Sequence, residues 1–168
     1  MTDSFEKAVF DLCRILSSVP VEAIPMPERK CVSFMGHWDR DSGGSDLWPY
    51  WYKRNPKFII IPHEPLQLTV TLARVPRQWR RGTDLENMIG LYVCAADDVN
   101  GMIREPLKSK RAESAFAPMS SSEITYELKP SPATPAFVIV PCTYGPGRAG
   151  KFKISMSSPK SAFEARPL

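Results

Sequence analysis

Histidine after glycine at Gly36-His37 and asparagine before proline at Asn55-Pro56 are residue types that serve as base and orienting amide in thiol-dependent hydrolysis. That chemistry also needs a thiolate beside the base, stabilised by a helix N-terminus or a cation, and a donor for the oxyanion. The thiols upstream of His37 are Cys13, inside a helical pattern, and Cys31, six residues before the histidine. Neither has the required setting, so the chain by itself is read as non-catalytic. Two histidines and four widely separated cysteines without a Cys-x-x-Cys pair argue against a zinc site or a disulfide framework, and fit a reducing cytoplasm.

Carboxylates gather at Asp39, Asp41 and Asp46 and again at Asp97 and Asp98. These are the candidate metal ligands, since calcium is held by carboxylates from loops. Gly43 and Tyr50 stand where an EF-hand loop needs Asp or Asn and Glu, so that motif is excluded. The grouping is loose, and solvated loop acids with no bound cofactor are the expectation, with calcium affinity weak at best. Positive charge concentrates in Arg74, Arg77, Arg80 and Arg81, with Trp79 among them and Gly82 marking a turn. Four arginines in eight residues with no intervening acid suit an anionic phospholipid headgroup, and an interfacial tryptophan would add to the contact. A net charge of +4 is modest for a nucleic-acid partner, and no reader motif is visible. Trp38, Trp48, Tyr50, Trp51 and Tyr52 form an aromatic cluster best explained by core packing, with a protein-binding groove as the second reading.

The elements that must position these residues are mostly strands. Leu66, Leu68, Val70 and Leu72 alternate with Gln67, Thr69 and Thr71, the period of a strand with one buried face. Patterning predicts eight strands near 31–36, 47–52, 57–61, 66–74, 88–95, 122–128, 136–141 and 150–157, with a long surface loop over 97–121. The 17 prolines fall largely at strand ends, as expected where a ladder has no use for a residue without an N–H. Phe5, Val9, Leu12 and Leu16 recur at helical spacing, so residues 3–18 are predicted to form a short helix, docked on the sheets or, as the second reading, the tail of a preceding domain, followed by a proline-rich linker to residue 30. The predicted fold is an all-β, antiparallel eight-stranded β-sandwich over residues 31–168, behind an N-terminal helix and linker over 1–30. At 43% hydrophobic content, 168 residues suffice for one sizeable core, and no apolar run reaches the ~20 residues of a membrane span.

Several motifs add a family resemblance. Phe137-Val138-Ile139-Val140-Pro141-Cys142-Thr143, the Gly145-Pro146-Gly147 turn and the alternating strand from Gly150 resemble the closing hairpin of the β-sandwich domain that follows the protease core in calpains (domain III of the large subunit). In order upstream, Gly36-His37-Trp38 with Gly43-Gly44, Asn55-Pro56-Lys57-Phe58, Ile89-Gly90-Leu91-Tyr92-Val93 and Glu123–Leu128 resemble its earlier elements, covering roughly residues 33 to 157. The acidic loop usual in that domain is reduced here to Pro62-His63-Glu64-Pro65, and Lys57 stands where the catalytic Asn-Pro-Trp turn of papain-like proteases, calpains included, has tryptophan. The resemblance implies a non-catalytic regulatory domain of a calpain-like cysteine protease, cytoplasmic and able to reach a membrane surface. Its implied partners are the protease core or other domains of such a protein, or anionic phospholipid. The alternative is a fragment of an active calcium-dependent cysteine endopeptidase whose catalytic core lies outside this chain.

Overall fold

A computed structural model describes residues 29–75, 88–103, 109–116, 120–159 and 162–168. The predicted helix with Phe5, Val9, Leu12 and Leu16 lies outside the described residues, as do Arg77, Trp79, Arg80 and Arg81.

The described chain is almost entirely strand. The strands are β1 (Lys30–Trp38), β2 (Phe58–Pro62), β3 (Leu66–Arg74), β4 (Ile89–Ala96), β5 (Lys110–Glu113), β6 (Ser121–Leu128), β7 (Ala136–Thr143), β8 (Gly150–Ser158) and β9 (Phe163–Pro167). They build two sheets, one of four strands in the order β1-β8-β3-β6 and one of five in the order β5-β4-β7-β2-β9, antiparallel throughout. Nine strands among the described residues replace the eight expected. The predicted strand over 47–52 is instead a one-turn helix, Pro49–Tyr52. Proline is tolerated in a first helical turn, where its missing N–H is not needed, whereas inside a strand it removes a ladder bond. The expected loop over 97–121 contains β5, and β9 is an additional strand beyond the eight expected.

The core lies between the sheets and follows from alternation. Leu66, Leu68, Val70 and Leu72 of β3 point inward with Phe152, Ile154 and Met156 of β8, against Ile89, Leu91 and Val93 of β4 and Ile139 of β7. β4 and β7 are buried at every position, which matches their nearly unbroken apolar runs. Their outward residues Tyr92, Cys94, Val138, Val140 and Cys142 form a second apolar cluster with Tyr52 and Ile59. The five-stranded sheet is thus covered on both faces, and the segment joining β1 to β2 supplies part of the outer cover.

One close approach fixes a residue type. A methyl group on Gly36 would lie 2.3 Å from the Phe152 ring, which packs on the bare backbone and against Trp38, ring centres 4.3 Å apart.

Candidate interaction surface

The β1–β2 connection holds a closely specified polar geometry, and it rests on Asn55. This side chain is buried, accepts the Gly43 N–H at 2.7 Å, and donates to the Gly44 carbonyl at 2.9 Å and to the Cys142 sulfur at 3.0 Å. The Gly44 N–H donates in turn to Thr143 Oγ1 at 2.9 Å, and the Thr143 hydroxyl donates to the Gly145 carbonyl at 2.7 Å. Gly43 and Gly44 have φ of 80° and 94°, the left-handed region that favours glycine. Nearby, the buried Trp38 indole donates to the Pro141 carbonyl at 3.0 Å. Residues scattered over more than a hundred positions therefore meet as one clasp at one end of the sandwich.

The clasp holds out residues 45–54. The Trp48 N–H reaches the Ser45 carbonyl, and the Tyr52 N–H reaches that of Trp48. Tyr52 turns inward, packing edge-on against Tyr92 with its hydroxyl 3.5 Å from the Cys94 sulfur. Its neighbours turn out. Leu47 is 67% exposed, Tyr50 56% and Trp48 43%, and Trp51 sits edge-on to both aromatics at ring separations of 6.3 Å from Trp48 and 5.0 Å from Tyr50. The Arg54 guanidinium covers the Tyr50 ring at 3.7 Å, a cation–π contact that orders the outer edge. The expectation of a single packed aromatic cluster therefore divides. Trp38 and Tyr52 are core residues, while Leu47, Trp48 and Tyr50 form an apolar ridge in solvent, backed by the half-buried Trp51.

Beneath the ridge, Asp46 accepts from Lys110 Nζ at 2.7 Å and from the Tyr92 hydroxyl at 2.9 Å, and Lys110 also pairs with Glu113 at 2.8 Å. Burial pushes the Asp46 carboxyl up, but the Lys110 and Tyr92 hydrogen bonds outweigh it and hold the group below its ordinary value. Those carboxylates in turn raise Lys110. Lys57 donates to the carbonyls of Lys53 at 2.7 Å and Asn55 at 3.2 Å, and burial lowers it.

His37 and Asn55 line one shallow groove with Asp39, Ser42, Arg54 and Lys57. Among the described residues no arrangement for hydrolysis follows. The thiol that Asn55 touches is Cys142, fully buried and pushed far up by desolvation, hence inert as a nucleophile. Cys31 lies six residues along an extended strand from His37, about 20 Å away.

The carboxylates named as metal candidates fall in separate places. Asp39 accepts the Asp41 N–H at 2.9 Å, and the Ser42 hydroxyl and that N–H hold Asp39 low. Asp46 is bound to Lys110 and Tyr92. Asp98 caps a turn beside Asp97, accepting the N–H groups of Asn100 at 2.8 Å and Met102 at 3.0 Å. Among the described residues no three His, Cys, Asp or Glu side chains come together around a metal-sized space. Arg74 ends β3, half-buried, and desolvation lowers it.

The clasp joins Gly36-His37-Trp38, Gly43-Gly44, Asn55-Pro56 and the Val140-Pro141-Cys142-Thr143 strand, the same short motifs that carried the family resemblance. The family model described as "Calpain large subunit, domain III" matches residues 34–156. This chain belongs to the calpain domain III family. Domain III is a non-catalytic domain of calpains, in accord with the inert thiol beside Asn55. No curated protein matches the chain. Among solved structures, the Yersinia pseudotuberculosis-derived mitogen is similar at 8% identity over 77% of this chain and 86% of its own, with a TM-score of 0.43. The Kashmir bee virus empty particle gives 7% identity over 91% and 84%, with a TM-score of 0.40. At such scores neither likeness informs function.

Proposed function

We propose that this domain III works by binding, as a docking module within a cytoplasmic calpain-like protein, and needs no cofactor. The observation that supports it is the ridge of Leu47, Trp48 and Tyr50 over the half-buried Trp51, an apolar surface held in solvent by the hydrogen-bonded clasp. Exposed tryptophan and tyrosine backed by arginine are the residue types in which interface energy concentrates, because they bury a large rigid area at low entropic cost. The partner that fits is the protease core or another domain of the same protein. The test is a Trp48→Ala, Tyr50→Ala double variant titrated with a calpain protease core added in trans. Loss of at least ~2 kcal/mol, about 30-fold in Kd, is expected of such anchors, with thermal stability retained. Unchanged affinity would remove the ridge from the binding reaction.

A second contact, with anionic phospholipid, belongs to the segment Arg74, Arg77, Trp79, Arg80 and Arg81. Its support is the density of arginine without intervening acid. Co-sedimentation with phosphatidylserine vesicles should fall as salt rises and fail on charge reversal of Arg77, Arg80 and Arg81. Binding indifferent to both would leave these arginines as solubilising surface.

A further inference from the structure

β5 lies at the edge of the five-stranded sheet and meets β4 with one extra residue. Cys94 pairs with Lys110 but Val93 with Ala112, so Arg111 is the added residue of a β-bulge. The bulge changes where Lys110 points. Ala112 packs against the core between the sheets, and regular alternation would send Lys110 to that same side. Lys110 instead emerges on the outer face, its ammonium 5.1 Å from the centre of the Tyr92 ring and 2.8 Å from Glu113.

The ridge begins at the same place. Asp46 immediately precedes Leu47, and two side chains hold it. The hydroxyl of buried Tyr92 donates to the Asp46 carboxylate at 2.9 Å and accepts the Asp46 N–H at 3.3 Å. Lys110 supplies the second hold at 2.7 Å, a charge-assisted bond to a carboxylate only 23% exposed. Tyr92 is set by the core of β4, whereas Lys110 reaches Asp46 because the bulge aims it there. The same ammonium also separates two acids. Without its charge, Asp46 and Glu113 would face each other across the space it fills, and their repulsion would push Asp46 out of place. Leu47 and Trp48 follow directly, and the Trp48 N–H bonds to the Ser45 carbonyl on the other side of Asp46, so the ridge moves with that residue.

We propose that Lys110 is the positioning residue of the ridge: its charge fixes Asp46, and thereby the way Leu47, Trp48 and Tyr50 are presented to a partner. This rests on the docking reading of the ridge and names what controls that surface. The test compares full-length Lys110→Met and Lys110→Arg with the parent and with the Trp48→Ala, Tyr50→Ala double variant. In the chain alone, hydrogen exchange is read at the Trp48 and Tyr52 amides, which bond within the ridge segment. In Lys110→Met these should accelerate at least about fivefold more than the amides of β3 and β7, and in Lys110→Arg less than about twofold more. Adding Glu113→Gln to Lys110→Met removes the repelling acid and should restore part of the protection. With a calpain protease core added in trans, Lys110→Met should weaken binding at least about tenfold and Lys110→Arg less than about threefold. Placed in the ridge double variant, Lys110→Met should cause no further loss, because the surface it positions is already gone. Equal acceleration at all amides, or no recovery in Lys110→Arg, overturns the proposal. So does an affinity loss that adds in full to that of the double variant, since Lys110 would then touch the partner itself. A double variant that binds as tightly as the parent overturns the docking reading, and the exchange ratio alone then decides for or against Lys110 as the residue that fixes the ridge.

Discussion

Replacing Asn55 with alanine tests whether the clasp is a structural requirement or an accident of packing. The substitution removes the acceptor of the buried Gly43 N–H and a donor to the Gly44 carbonyl, and deletes the contact with Cys142. A buried polar group left without its partner costs about 1–3 kcal/mol, so two of them with partial relief by entering water give a loss of about 3 kcal/mol. For a domain of this length about 2–4 °C accompanies each kcal/mol, so the melting temperature should drop by about 6–12 °C in a calorimetric scan. Asn55→Asp supplies a second arm. It keeps the acceptor for Gly43 but sets a carboxylate against the Gly44 carbonyl, so its folded-state pKa lies above the unfolded value. The native state then binds the proton more readily, and the stability deficit grows as pH rises above about 3.9 and shrinks as pH falls toward it. A fall of less than about 2 °C for Asn55→Ala, or an Asn55→Asp deficit that does not vary with pH, would refute the reasoning.

Gly36→Ala should destabilise by about 1–3 kcal/mol because its methyl group must displace the Phe152 ring, and Phe152→Leu in the same chain should recover part of the loss in urea titration. Lys110→Met should cost about 1 kcal/mol at neutral pH by removing the cation that Asp46 faces. Because the folded-state pKa of Asp46 is depressed below 3.8, its stabilisation is present above that value and lost as pH falls through the folded pKa, so melting curves of variant and parent should converge in acid.

Most of the strand framework could be read from alternation and from the apolar runs of β4 and β7. What escaped notice had physical causes. β5 reads Lys-Arg-Ala-Glu and is a strand only because it lies against β4, so nothing local distinguishes it from the charged residues around it. β9 buries just Phe163 among five residues. Residues 47–52 are rich in aromatics, a strand signal that Pro49 and the hydrogen bonds from Ser45 onward override. The same aromatic richness hid the division of the cluster, because composition does not tell which face of a single helical turn meets solvent. The motif residues of the clasp were recognisable one by one, but their mutual contact spans 87 positions from Asn55 to Cys142, a distance that local pattern does not bridge. The carboxylates show the converse, since closeness in sequence did not make Asp39, Asp41 and Asp46 a common site.

The order in which strands find neighbours also governs when the molecule can form. Among the described residues β1 pairs with β8 alone, and Ser33 meets Ser155 across 122 positions. β2 lies between β7 and β9, and β3 between β6 and β8, so the first three strands are completed only by the last four. Loop closure over such separations is unfavourable until many contacts form at once, and topologies of this kind fold slowly. On a ribosome, β1 through β3 would emerge and wait, with the apolar residues of β2 and β3 exposed, until β6 to β9 had left the exit tunnel. The apolar residues of β2 and β3 therefore stay open to aggregation until the strands that complete their sheets have been made.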